Sequence, residues 1–221
     1  MPVAKAKPAP KPAAPLELGG RRRLIEAALR LAAEKRGLQG IGLRELGREA
    51  GLNPNTFYRH FRDLDALYAA VVEEFGAEIG PALRNIRLNA PIEQVPALTT
   101  ELVFDIAKQN PEAFIVGVRE LHGALDSARE ALRRRLTTLA QEMADDVLVR
   151  SPVPGLDEGL LRELARSIVE HVFLRTLDYL ENPRQRAALV RRTALFIDSL
   201  LYGSVVVAAR ERAARRPIQQ G

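Results

Sequence analysis

Residues 43–61 read LRELGREAGLNPNTFYRHF, and this stretch decides the fold. Apolar residues at helical spacing predict a short helix over Leu43–Ala50, with Gly51 as its left-handed cap. The dipeptide Asn53-Pro54 then predicts a helix start, because asparagine caps well and proline suits the first helical position. We therefore expect a second helix over Pro54–Phe61. Two short helices joined by a turn with glycine are typical of a helix-turn-helix.

A longer helix precedes this pair. Apolar residues recur at helical spacing between Gly20 and Gly37, namely Leu24, Ala27, Ala28, Leu31 and Ala32. Residues 1–19 instead hold five of the fourteen prolines, among alanine and lysine, which predicts a disordered basic arm. We thus expect a three-helix domain over residues 20–65.

The rest of the chain, residues 66–221, reads as helical throughout, with no strand alternation. Breaks rich in asparagine, proline and glycine separate predicted helices near residues 64–88, 92–109, 111–122, 127–149, 157–181 and 184–214. The predicted fold class is all-α, with the first domain joined to the second by a shared helix.

Basic residues are concentrated at one end of the chain. Residues 1–62 hold 13 Lys and Arg against 5 Asp and Glu, a balance of +8, so the net charge of +5 leaves −3 for residues 63–221. Such a patch favours a polyanionic partner, although a solvated basic tail would give the same balance.

Composition also limits the classes of protein. The chain has no cysteine, which excludes thiolate metal sites, cysteine nucleophiles and disulfides. The longest uncharged stretch, Ser199–Ala209, is shorter than the roughly 20 residues of a membrane helix, and no apolar signal-peptide core begins the chain. We expect a protein of the cytoplasm, with no membrane partner.

The predicted second short helix carries side chains suited to DNA. Phe57 and Phe61 lie four residues apart and should face the core, which leaves the polar residues between them on the other sides. Asparagine can pair with adenine, arginine with guanine or phosphate, and threonine with a thymine methyl group. Tyrosine and histidine more often reach phosphate oxygens.

The spaced segments Leu24–Ala28, Leu43–Leu46, Ala50–Leu52 and Thr56–Phe61 resemble the DNA-binding domain of the TetR family of repressors. The resemblance implies a homodimer on palindromic double-stranded operator DNA, with a C-terminal helical domain for ligand binding and dimerisation. It also implies DNA contacts, which by position are Arg21, Arg22, Arg23, Arg44, Asn55, Thr56, Tyr58, Arg59 and His60.

This sequence departs from the family pattern at two places. Gly42 stands where the family commonly has serine or threonine, and Arg62–Asp65 lacks the lysine often found at the start of the fourth helix. Each departure removes a usual phosphate contact.

A narrower resemblance concerns the effector. The segments Asn53–Asp65 and Asn110–Phe114, with Arg119-Glu120 downstream, are similar to the FabR and DesT type of regulator of unsaturated fatty acid synthesis and desaturation. This implies a long-chain acyl-CoA or fatty acid as effector, and no cofactor. The alternatives are a TetR-type regulator of efflux or catabolic genes that senses another hydrophobic small molecule, and a dimeric DNA-binding protein without an effector.

The last two predicted helices are expected to form the dimer interface. The final helix is apolar on two faces and so must bury both, and Leu161, Ala165, Ile168, Val172 and Leu180 of the helix before it would join the interface. A thick core within a single chain is the alternative.

Apolar side chains of the remaining helices could line a ligand cavity or fill their own core. The predicted ligand-binding residues are Phe75, Phe104, Phe114, Val118, Leu121, His122, Phe173 and Leu177. Arg119, His122 and Arg175 are candidates for a polar headgroup, with a surface ion pair as the alternative role of each.

Nothing in the sequence predicts an enzyme or a metal site. The motifs HExxH, GxSxG and GxxxxGK[ST] are absent, and the three histidines are scattered along the chain. His171 follows Glu170 directly, and adjacent helical residues point apart.

Overall fold

The computed structural model describes residues 15–35, 37–77, 79–123, 125–150 and 157–215. Four helices form the N-terminal part of this range: α1 (Pro15–Lys35), α2 (Leu43–Ala50), α3 (Pro54–Phe57) and α4 (Leu64–Ala77).

Helix α1 begins five residues before the predicted start at residue 20. The expectation that the disordered arm extends to residue 19 is therefore wrong for residues 15–19. Proline is tolerated in the first turn of a helix, where its N–H would have no partner, so Pro15 does not prevent the start. The rest of the predicted arm, residues 1–14, lies outside the described residues.

The predicted bounds of α2 and the predicted caps at Gly51, Asn53 and Asp63 are confirmed. The helix has the predicted bounds, and Gly51 caps it at φ 62°, with its N–H bonded to carbonyls of the last turn. Asn53 caps α3, since its side chain accepts a hydrogen bond from the Asn55 N–H at 2.9 Å. Asp63 caps α4 in the same way through the Ala66 N–H at 2.7 Å.

Helix α3 is shorter than predicted. Its α-helical part ends at Phe57, whereas the sequence predicted a helix to Phe61. The chain continues to coil through tighter turns, in which the N–H of Arg59 bonds Thr56 O at 3.2 Å and the N–H of His60 bonds Phe57 O at 2.9 Å. The side chains of residues 58–61 therefore still point in several directions around a coiled backbone.

Phe57 and Phe61 are buried as predicted, with ring centroids 5.8 Å apart. They belong to a core shared by α1, α2 and α4, in which Leu24, Leu31 and Leu46 are also buried. This core continues past the predicted domain boundary at residue 65. It also contains Leu67, Tyr68 and Val71 of α4, together with Val116 and Ala128 from the C-terminal part of the chain.

The C-terminal part consists of six further helices within the described residues. They are α5 (Ile79–Asn89), α6 (Val95–Gln109), α7 (Pro111–Leu121), α8 (Asp126–Arg150), α9 (Glu158–Glu181) and α10 (Arg186–Arg215). Short 3-10 turns, Ile92–Gln94 and Pro183–Gln185, precede α6 and α10. The predicted bounds hold to within three residues, except that the segment predicted over 64–88 falls on both α4 and α5, on either side of Glu78, which is not described.

Helix α8 organises the bundle. It packs against α4, α5, α7 and α9, while α6 lies against α9 and α10. Small residues on α8 permit the close approach of α9, because Ala140 and Ala144 form a buried cluster with Leu161 and Ala165.

This packing corrects the predicted role of part of α9. Leu161, Ala165, Ile168 and Val172 were expected at a dimer interface, but all four are buried within the chain itself. The spacing of apolar residues predicts that a helix face is buried, but it does not tell whether that face packs against the same chain or against a second copy.

A side chain at position 51 should destabilise the protein. Gly51→Ala should lower the free energy of unfolding by about 1 to 2 kcal/mol, because the left-handed conformation is unfavourable for a residue with a Cβ. A Cβ there would also lie 2.7 Å from Arg23 Nη2. Chemical denaturation measures the change.

Gly42→Ser is the matched control. Gly42 has φ −90° and open space around its Cα, so a serine should leave stability unchanged or raise it slightly as an N-cap. Equal stability of Gly51→Ala and the unsubstituted protein would contradict the role of Gly51.

Candidate DNA interface and ligand cavity

The polar side chains of the helix-turn-helix lie on its outer surface. Tyr58 is 61% exposed, and its ring stands nearly perpendicular to the Phe57 ring with the two centroids 5.3 Å apart, so its hydroxyl is available to a partner. Arg44 and Arg59 are exposed and have no ion-pair partner among the residues that the structure describes. With exposed Asn55 and partly buried Thr56, they give this surface positive charge and hydrogen-bonding groups.

The three arginines that precede Leu24 each bind within the chain. Arg21 pairs with Glu74 of α4, and its guanidinium lies 5.5 Å from the centre of the Phe61 ring. Arg22 pairs with Glu26 at 2.9 Å, and Arg23 donates to the Gly51 carbonyl at 3.0 Å. Arg21 and Arg23 therefore connect α1 to α4 and to the turn, whereas Arg22 pairs within α1. The predicted DNA contacts of all three stay predictions.

His60 lies against α1 rather than standing free. A Cβ added to the buried Gly20 would lie 2.7 Å from its Nε2, so the imidazole occupies the space left by this glycine. Its contact positions the turn after α3 on α1, and DNA contact by His60 stays a prediction.

Arg48 was not among the predicted DNA contacts. This exposed residue lies four positions after Arg44, and residues four apart share one face of a helix. The two neighbouring glutamates point to α1, since Glu45 pairs with Lys35 at 2.6 Å and Glu49 with Arg30 at 2.7 Å. The hydrogen bond from Lys35 lowers the pKa of Glu45, so both glutamates serve helix packing while the arginines face outward.

A cavity of about 310 Å³ lies inside the C-terminal bundle. Its volume is at the lower end of the roughly 300–1,000 Å³ that small-molecule sites occupy. Every helix from α4 to α10 contributes apolar side chains to its wall. Gly117 leaves room for a ring there, because a Cβ on it would lie 3.2 Å from Phe173 Cζ.

Two of the predicted ligand-binding residues line this cavity. They are Phe114 and Phe173, whose ring centroids are 5.9 Å apart. Phe104 instead stacks on Tyr179 at 4.6 Å in a separate core between α6, α9 and α10. The side chain of Phe75 lies outside the described residues.

The other predicted residues do not line the cavity either: Val118, Leu121, His122 and Leu177. Helical spacing predicted that these residues lie on a buried face. A helix in a bundle has several such faces, however, and only some of them line the cavity. The headgroup candidates also lie elsewhere. Arg175 pairs with Asp178 at 2.7 Å, Arg119 reaches the Ala33 carbonyl at 3.4 Å, and His122 is exposed.

One end of the cavity is polar. Arg87, whose side chain is 7% exposed, donates through Nε to Asp146 Oδ2 at 2.8 Å. Arg84 approaches the other carboxylate oxygen at 3.3 Å. Arg150 donates to the carbonyls of Arg87 and Ala90, which binds the end of α8 to the end of α5. Nothing in the sequence marks this cluster, since 59 residues separate Arg87 from Asp146.

The cavity also reaches the DNA-binding helices. Leu38, Val71 and Val116 line it and belong to the core of those helices as well. At this end the buried carboxylate of Glu120 accepts a hydrogen bond from the Leu38 N–H at 2.8 Å. Burial, together with the charges of Asp65 and Glu120, raises the pKa of Tyr68 to about 12, so the phenol beside this contact stays neutral.

The outer face of α10 is apolar and exposed. Leu195, Tyr202 and Val206 are 65%, 64% and 67% exposed. Their spacing of seven and four residues places them on one stripe of the helix. The segment Pro183–Ala213 is also long and apolar enough to cross a membrane, by length and composition alone. This differs from the sequence prediction, in which the uncharged stretch Ser199–Ala209 was too short for a membrane helix.

His, Asp and Glu side chains nowhere come together in groups of three suited to a metal ion within the part of the chain that the structure describes.

Comparison with known proteins identifies the N-terminal domain. Residues 24–71 match the family described as bacterial regulatory proteins, tetR family. The match begins in α1 and ends in α4, and so contains the whole helix-turn-helix.

Solved structures share the fold of most of the chain. A fatty acid degradation regulator, FadR from Bacillus halodurans, is 15% identical with a TM-score of 0.67, over 85% of this chain and 96% of that one. FadR from Bacillus subtilis, in complex with stearoyl-CoA, is 18% identical with a TM-score of 0.62, over 80% and 96%. A tetR family regulator from Shewanella sp. PV-4 is 14% identical with a TM-score of 0.65, over 80% and 95%.

The contact of Glu120 with Leu38 gives a prediction. Glu120→Met should lower the free energy of unfolding by about 1 to 3 kcal/mol, because the buried N–H of Leu38 loses its acceptor. Hydrogen exchange of the Leu38 amide should accelerate along with this loss.

Glu112→Met, at an exposed position of the same helix, serves as the control and should change stability by less than about 0.5 kcal/mol. If the two variants exchange the Leu38 amide at the same rate, Glu120 does not hold this loop.

Proposed function

We propose that this protein, whose residues 24–71 form a TetR-family DNA-binding domain, is a transcriptional repressor that binds palindromic operator DNA as a dimer. An acyl ligand in the C-terminal cavity would control it. The observation that carries the proposal is the division of the helix-turn-helix into a buried aromatic face and an exposed face with arginine and tyrosine.

The exposed face supplies both kinds of DNA contact. Asn55, Thr56 and Arg59 are suited to base edges, and the Tyr58 hydroxyl to a phosphate. Arg44 and Arg48 would lie along the DNA backbone from α2. Gly42 provides no side-chain hydroxyl at the start of that helix, so we expect these two arginines to supply part of the phosphate binding.

Dimerisation would occur chiefly through the exposed face of α10, because Leu161, Ala165, Ile168 and Val172 of α9 are already buried within the chain. The stripe of Leu195, Tyr202 and Val206 has no cover within the described chain, and a partner helix would remove it from water. A two-fold dimer presents two recognition helices to half-sites about 34 to 36 Å apart. A dimer in the cytoplasm accounts for the apolar face of α10 without a membrane.

The effector would be a long-chain acyl compound. An apolar cavity with one cationic end fits an amphiphile, and the FadR protein from Bacillus subtilis shares this fold in complex with stearoyl-CoA. Genes of fatty acid metabolism are the inferred targets, with desaturation suggested by the resemblance of Asn53–Asp65.

The proposed recognition surface can be tested with DNA selected by the protein from a random duplex pool. The selected sites should be palindromic, and Arg59→Ala should weaken binding by about tenfold or more without a change in unfolding. Fluorescence anisotropy measures the affinity at fixed salt.

Arg133→Ala is the matched control, because it removes the same charge from an exposed position on α8. The assignment of α3 to DNA fails if Arg59→Ala and Arg133→Ala bind the selected sites equally well.

The proposed dimer is tested with the double variant Leu195→Glu and Val206→Glu. It should sediment as a monomer and lose operator affinity, since two charges would be buried in the interface. Val149→Glu introduces a charge at a valine that is 73% exposed on α8, away from the stripe, and should stay dimeric. A wild-type protein that is monomeric and binds lipid vesicles would overturn the dimer.

A further inference from the structure

We propose that the polar end of the cavity binds a free carboxylate, so that the effector is the anion of a long-chain carboxylic acid with its head at Arg87 and Thr99. This rests on the proposed function in taking the cavity as the effector site, and it defines the chemistry of the ligand head.

The first observation is an unpartnered donor. Arg87 lines the cavity, and its side chain is only 7% exposed. Its Nη2 atom is buried and has no hydrogen-bond partner. Buried donors in proteins are almost always paired, because an unpaired one loses its hydration without compensation. An unpartnered guanidinium N–H on a residue that lines a cavity therefore points to an acceptor bound there.

The second observation is the balance of charge. The carboxylate of Asp146 is 1% exposed and pairs with both Arg87 and Arg84. Arg150 also lines the cavity and donates to two backbone carbonyls, with no acidic partner among the described residues. Arg84 is 57% exposed and does not line the cavity, so water screens its charge. At the polar end of the cavity wall, the two guanidinium groups of Arg87 and Arg150 thus accompany the one carboxylate of Asp146. A bound anion would reduce this excess of positive charge, whereas a neutral ligand would leave it.

The third observation is a second donor on the neighbouring helix. Thr99 of α6 lines the cavity, and its Oγ1 is buried without a partner. The next residue, Thr100, differs in both respects, since its hydroxyl donates to the Pro96 carbonyl at 2.8 Å and does not line the cavity. A hydroxyl and a guanidinium together can bind the two oxygens of one carboxylate.

The head group must be compact. Among the lining residues, Arg87 offers one unpartnered guanidinium nitrogen and Thr99 one unpartnered hydroxyl, while most of the wall is apolar and extends to Leu38 and Val71. A carboxylate uses both donors, and its chain then extends along the apolar wall. The thioester of an acyl-CoA offers only a neutral carbonyl at the same place, and its nucleotide needs space beyond these donors.

Titration calorimetry on delipidated full-length protein tests the assignment with three ligands of one chain length: dodecanoate, dodecanol and dodecanoyl-CoA. Dodecanoate should bind about tenfold or more tightly than dodecanol, because hydrogen bonds to a charged group are the stronger ones. It should also bind more tightly than the CoA ester.

Two variants assign the head to its residues. Thr99→Val keeps the shape of the side chain and breaks no existing hydrogen bond, so it should fold normally and weaken dodecanoate about fivefold, with dodecanol unchanged. Arg87→Gln should weaken dodecanoate more strongly, and Asp146 keeps Arg84 as its partner. Thr100→Val and Arg84→Gln are the matched controls and should keep the preference for the acid.

The outcomes separate this proposal from the proposed function. Equal binding of acid and alcohol, or a Thr99→Val protein that keeps the preference, would overturn the carboxylate site while leaving an acyl effector in place. Tighter binding of dodecanoyl-CoA would assign the site to the thioester instead. Failure of all three ligands to bind would overturn both the carboxylate and the acyl effector, and leave DNA binding untouched.

Discussion

Val71 of α4 is buried in the core of the DNA-binding helices and also lines the cavity of the C-terminal bundle. The rest of the structure depends on this double use of one helix. The three N-terminal helices bury their apolar faces only with the help of α4, Val116 and Ala128, so they have no separate core. Because packed interiors leave few voids, a ligand that moved one wall of the cavity would also shift a wall of the DNA-binding domain.

Polar contacts also join the DNA-binding helices to the C-terminal bundle. Glu120 of α7 holds the loop after α1 through the Leu38 N–H, and Arg119 of the same helix reaches the Ala33 carbonyl. Arg21 connects α1 to α4 through Glu74. The orientation of the helix-turn-helix is thus set by both α4 and α7, and both helices line the cavity. In the proposed dimer, a change of a few ångströms in the spacing of the two recognition helices would be enough to mismatch them with successive major grooves.

The sequence predicted local features well, because they have local causes. Asn53, Gly51 and Asp63 each act on backbone groups a few residues away, and the helix bounds follow from them. Prediction was poorer where distant residues decide. The partners of Arg87 and Glu120 lie 59 and 82 residues away, so nothing near them marks their contacts.

The predicted ligand-binding residues show the same limit. Phe114 and Phe104 look alike in the sequence, yet the first lines the cavity and the second stacks on Tyr179 in another core. A helix within a bundle has more than one buried face, and the spacing of apolar residues does not say which face meets empty space. Likewise the sequence predicted α10 to be apolar on two faces, but only the structure separates its buried residues from the exposed stripe of Leu195, Tyr202 and Val206.

The central claim is that the cavity and the DNA-binding surface are coupled. The most direct test measures the affinity for selected operator DNA with and without saturating dodecanoate, and the affinity for dodecanoate with and without that DNA. The account predicts that each ligand changes the affinity for the other by the same factor, about 5- to 150-fold. Operator affinity that stays the same while dodecanoate occupies the protein would contradict it.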